Sequence, residues 1–60
     1  MFKELDMVKA KKDLSETVHK GTIGTIVMVY TPFDFEVEFF DNDYNTLDLL
    51  TVNAEDLEKR

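Results

Sequence analysis

Apolar and polar positions along the chain alternate in short stretches, and no stretch holds the longer period of a helix. Asp6–Lys11 puts Val8 and Ala10 on one face and Met7, Lys9 and Lys11 on the other, the pattern of a half-buried strand. Lysines on its outer face suit an edge position, where charge discourages pairing with other chains. Lys20–Tyr30 is the longest β-prone run, and Ile26–Tyr30 is its uninterrupted apolar part. Phe35–Phe39 alternates strictly, so Phe35, Val37 and Phe39 should face a core while Glu36 and Glu38 face water. Phe40 is out of phase with them and should point outward. Thr46–Val52 places Leu47 and Leu49 on one face and Asp48 on the other, then shifts phase around Leu50 and Val52. Such a shift predicts a bulge, or a strand passing from one sheet to another.

The connections follow from turn chemistry. Phe2–Leu5 is too short for a helix and is expected to lay Phe2 or Leu5 over the end of the core. Lys12–Lys20 has no period and reads as a long loop, pinned by Leu14 and Val18. Gly21 suits a turn with positive φ, and Gly24, inside a strand, suggests a bulge or a close backbone approach that bends the sheet. Pro32 removes a donor, so the second strand must stop near Thr31. Asp41–Asn45 is a polar hairpin turn, and Asn53–Leu57 is one helical turn with Asn53 as N-cap and Leu57 as a core plug. Glu58–Arg60 is expected to fray. The whole predicts an all-β chain, a single domain over residues 1–60: a small five-stranded SH3-like barrel with a C-terminal one-turn 3-10 helix.

Composition narrows this picture. Sixty residues bury only about 60% of the surface of the unfolded chain. Without cysteine there is no disulfide or thiolate metal site, so Leu, Val, Ile, Phe and Met must build the core. A cysteine-free chain with no leader-like or membrane-length apolar run is expected to be cytoplasmic. The net charge of −6 is unevenly placed: residues 1–30 hold five lysines against four acids, residues 31–60 one lysine and one arginine against nine acids. An acidic second half repels phosphate backbones and steers basic partners inward.

Catalytic and cofactor motifs are not met. Gly21 and Gly24 precede β-branched residues, whereas a phosphate-binding loop needs its glycines, and in a P-loop a Gly-Lys-Ser/Thr ending, before a helix. Asp41-Asn42-Asp43-Tyr44-Asn45 opens like a calcium loop, but Thr46 and Val52 stand where glycine and a bidentate carboxylate are required. His19 is the only histidine and has neither metal-ligand neighbours nor an evident nucleophile. Glu36 and Glu38 could meet as paired carboxylates, yet they need a cleft to act as acid and base. No enzyme, metal or cofactor is therefore expected. A protein-binding module fits better, with Tyr30, Phe33, Phe40 and Tyr44 among Glu36, Glu38, Asp41, Asp43 and Asp48, a mixture that suits stacking and charge steering toward a basic protein. The alternative is nucleic-acid binding through Lys9, Lys11, Lys12 and Lys20, and a third possibility is self-association along a strand edge.

Phe2–Asp6, Lys20–Val27, Phe35–Phe39 and Val52–Leu57 together resemble a family of bacterial proteins of about this length and uncharacterised function, common in cyanobacteria. The Lys20–Val27 stretch is also similar to the KOW-type SH3-like domains of ribosomal and transcription proteins. The resemblance implies an SH3-like fold without catalytic residues. It implies, too, a partner encoded nearby, which would make this chain an antitoxin or immunity-type protein. The KOW likeness implies RNA or protein binding, and the acidic surface here departs from what RNA binding needs.

Overall fold

The computed structural model describes all sixty residues, Met1–Arg60. Strands β1 (Met7–Ala10), β2 (Ile23–Thr31), β3 (Asp34–Phe40), β4 (Thr46–Asn53) and β5 (Leu57–Lys59) form one sheet, with a 3-10 turn at Ala54–Asp56 between the last two. The spatial order is β4-β3-β2-β1-β5, and every neighbouring pair is antiparallel. There is no α-helix, and none of the chain is a helix long and apolar enough to cross a membrane. The sheet curls around its inner face into a small barrel-like body.

Period-2 alternation builds the core. Val8, Ala10, Val18, Ile26, Phe35, Val37, Phe39, Val52 and Leu57 are buried together, and Phe2, Leu14, Leu50 and Ala54 pack against them. Phe2 meets Phe35 edge to face, ring centroids 5.5 Å apart. Leu5 is 79% exposed and adopts a φ of 71°, so Phe2, and not Leu5, covers the end of the core. Val18 holds the 12–20 loop inward as expected. Asn53 caps the 3-10 turn by accepting the Glu55 N–H at 2.9 Å.

Gly21 has a φ of 93° and turns the chain into β2. Gly24 serves close approach and not a bulge: a Cβ there would lie 2.7 Å from Val37 Cγ1 and 2.9 Å from the Glu38 carbonyl oxygen. The bends of β2 come later, at register shifts between Ile26 and Met28 and between Val29 and Thr31.

Three further expectations are corrected. β1 is not an edge strand, because Leu57–Lys59 does not fray but pairs with Val8–Ala10. Lys9 is thus flanked by Ile23 on one side and Glu58 on the other. Second, the register break of β4 lies opposite the Phe39–Phe40 step, at Leu47, earlier than its sequence pattern suggests. Third, Asp48, Leu50 and Val52 therefore stand opposite Phe39, Val37 and Phe35 on the inner face, and Leu49 points outward with 53% exposure.

Candidate functional site

β3 runs between β2 and β4, so its outward side chains form the central row of an open sheet face. Asp34, Glu36 and Glu38 occupy this row at every second residue, about 7 Å apart along the strand, and Phe40 ends it. Neighbouring strands supply donors to each carboxylate. Thr51 Oγ1 donates to Glu36 Oε1 at 2.8 Å, and the Tyr30 hydroxyl donates to the same oxygen at 3.2 Å. The Thr46 hydroxyl donates to Glu38. Thr31 Oγ1 and Asn53 Nδ2 donate to the two oxygens of Asp34 at 2.8 and 3.3 Å.

No cation neutralises this row. The ion pairs of the molecule are Lys3–Asp6, Lys59–Asp6, Lys12–Asp56 and the His19–Asp13 contact, all elsewhere. Hydroxyls and an amide orient the three carboxylates without cancelling their charge. Exposed apolar groups flank them: Met28 and Tyr30 on β2, and Leu49 on β4. Partial desolvation, then the charge of Glu36 and the bond to it, raises the pKa of Tyr30 above its ordinary 10.0.

A second cluster lies at the far end of β3. Phe40 and Tyr44 pack with ring centroids 5.5 Å apart, and with Ile23, Leu47, Lys20 and Arg60 they line an open groove of about 550 Å³. Asp41 belongs to the same end but works on its own turn. Its carboxylate accepts the Asn45 N–H at 3.0 Å, the Asp43 N–H at 2.8 Å and the Asn45 side-chain amide at 3.2 Å. The Asn45 backbone bond is the largest of these effects and, with the other two, outweighs desolvation, so Asp41 stays below the ordinary carboxylate value. These bonds define the Asp41–Asn45 turn, with Tyr44 exposed at a φ of 64°.

The residues singled out from the sequence therefore separate into groups. Tyr30, Glu36 and Glu38 share one face; Phe40, Asp41 and Tyr44 share the groove; Asp43 is exposed in the turn beside it. Phe33 stands alone, 65% exposed, on a hairpin whose backbone is fastened by its carbonyl to the Ala54 N–H at 2.7 Å. Asp48 lies on neither surface. It faces inward from β4 and accepts Ser15 Oγ at 3.2 Å and Thr17 Oγ1 at 3.4 Å, tying the 12–20 loop across to β4. Asp34, Met28 and Leu49 belong to the face and were missed from the sequence. Asp34 was legible as the preceding even-numbered step of the β3 alternation, but Met28 and Leu49 lie beyond register breaks that pattern reading does not locate. Of the four lysines considered for nucleic acid, Lys12 is engaged by Asp56 at 3.3 Å.

Fold and surface together define a small antiparallel β domain whose distinguishing feature is an acidic, apolar-flanked sheet face. The chain belongs to the DUF4926 family, a domain of unknown function, whose model matches residues 4–59. No curated protein and no solved structure matches it.

Proposed function

We propose that this chain is a non-enzymatic binding domain of SH3-like type that holds a basic protein against the outer face of β2, β3 and β4. The observation that supports the reading is the row Asp34, Glu36 and Glu38, unneutralised and bordered by Met28, Tyr30 and Leu49. Lysine or arginine side chains of a partner would lay their apolar stems over Met28 and Leu49 and bring their charged ends to the carboxylates. Tyr30 adds an aromatic face for cation–π contact. A field of this sign speeds encounter with a basic partner and rejects acidic ones. An antitoxin or immunity role in a bacterial cytoplasm, with the partner encoded nearby, agrees with such a surface. Affinity capture from the native host, followed by mass spectrometry, tests it with the parent chain and a Glu36→Lys/Glu38→Lys variant. Loss of a basic partner by the variant is expected; retention of every captured partner would overturn the assignment to this face.

A further inference from the structure

β2 carries a second feature that the acidic face does not use. β1 accompanies it only to Thr25, after which the Leu5 N–H donates to the Ile26 carbonyl at 2.8 Å and the Ile26 N–H to the Asp6 carbonyl at 3.0 Å. From Val27 to Thr31, β2 has β3 on one side and no strand on the other. Backbone groups that point away from β3 in this stretch are open to pairing. Val27, Met28, Val29 and Tyr30 are exposed, and so is Leu5 beside them. Ile26–Phe33 contains no charged residue, in a chain of which 33% is charged. Natural edge strands are usually blunted by lysine or proline; here Pro32 follows only after the strand has ended.

We propose that the β2 edge at Val27–Thr31 accepts an added strand from a partner, an extended segment whose outward side chains are basic and whose alternate side chains are apolar. The proposal rests on the acidic-face reading and states how the partner reaches that face. Charge complementarity selects the occupant. A strand laid beside β2 sends every second side chain to the outer face, where a lysine or arginine crosses Met28 and Tyr30 to reach Glu36. The intervening side chains fall on the inner side, next to Val29. A second copy of the chain suits the edge less well, because each molecule carries a net charge of −6.

The test titrates the isotope-labelled chain with a synthetic octapeptide of alternating lysine and valine. Two further versions are N-methylated, one at every valine nitrogen and one at every lysine nitrogen, so that either pairing direction is blocked by one of them. Amide exchange is read residue by residue. Expected are slower exchange confined to Val27–Thr31 with the parent peptide, and affinity loss of roughly tenfold or more with one methylated version. Val29→Lys should abolish binding while leaving the remaining spectrum unchanged. If both methylated versions bind as tightly as the parent, charge alone holds the peptide: strand addition falls and the acidic-face reading stands. If none of the three peptides binds, strand addition is overturned, and the partner capture above then judges the face separately. A dimer of the chain alone, with protected Val27–Thr31 amides, overturns it in favour of a second copy.

Discussion

Gly21 and Gly24 lie three positions apart and are required for different reasons, one by backbone conformation and the other by space. At Gly21 nothing lies within 4 Å of where a Cβ would stand, yet φ is 93°; at Gly24 φ is not positive and the Cβ site is filled. Gly21→Ala should cost about 1–2 kcal/mol through left-handed strain. Gly24→Ala should cost about 1–3 kcal/mol through overpacking, since the Glu38 carbonyl cannot swing aside as a side chain can. Denaturant unfolding of both, with Gly21→Asn and Gly24→Asn alongside, separates the causes: asparagine tolerates positive φ and should recover stability only at position 21. Tyr30 offers a second measurement at this scale. Its raised pKa means that the folded chain holds the phenolic proton more tightly than the unfolded chain, whose value is near 10.0. The resulting stability is complete below that pH and is lost as pH rises through the folded value. Glu36→Gln should move the Tyr30 ring titration, followed by NMR, part of the way back toward 10.0, desolvation keeping the rest.

Among the elements, β4 is the one whose environment reverses its sequence pattern. Opposite Phe39, Asp48 occupies an inward position that an apolar residue would ordinarily take, and the Ser15 and Thr17 hydroxyls make this tolerable. The same serine Oγ accepts the Val18 N–H at 3.1 Å, so Asp48, Ser15 and the buried Val18 form one connected anchor for the 12–20 loop. Asp48→Ala should therefore speed amide exchange at Leu14 and Val18 and lower stability by about 1 kcal/mol, while exchange in the β2–β3 hairpin stays unchanged. Equal acceleration in both places would show that Asp48 supports the whole sheet and not the loop. β3 is the contrasting case. Flanked on both sides along its length, it keeps its alternation from Asp34 to Phe39 unbroken, and the sequence pattern is correct at every position of Phe35–Phe39, with Asp34 adding one outward step before it.

For the whole molecule, charge and size set the terms. A chain of this length has total stability of roughly 3–9 kcal/mol, and a net charge of −6 works against the compact state. Asp34, Glu36 and Glu38 concentrate that repulsion within about one to two Debye lengths at physiological ionic strength. Raising salt from a low concentration should raise the midpoint of thermal unfolding. The gain should shrink in Glu36→Gln/Glu38→Gln, which removes two charges of the row. The Lys3–Asp6 and Lys59–Asp6 pairs respond in the opposite sense, but Lys3 and Lys59 are exposed at their ends, and such pairs contribute little. A salt-independent midpoint in the parent chain would show that self-repulsion does not limit stability.

Local chemistry was enough to foresee much of this architecture. The alternation of Val8 and Ala10, the period of Phe35, Val37 and Phe39, the turn at Pro32, the positive φ of Gly21 and the Asn53 cap each depend on a residue and its near neighbours, so the amino-acid sequence alone determined them. The rest depended on which strand lies beside which. Lys9 lies on an inner strand of the sheet because Leu57–Lys59 pairs with β1, and Leu49 is outward and Asp48 inward because β4 slips at Leu47, the 12–20 loop crossing to satisfy the Asp48 carboxylate. The acidic face itself was half visible: Glu36 and Glu38 followed from β3, but their setting between Met28 and Leu49 did not. Register between strands is fixed by long-range packing and bulges, and a shift of one residue exchanges inside for outside. Only the tertiary structure could decide which apolar groups border the carboxylates and that the end of β2 has no strand on its second side.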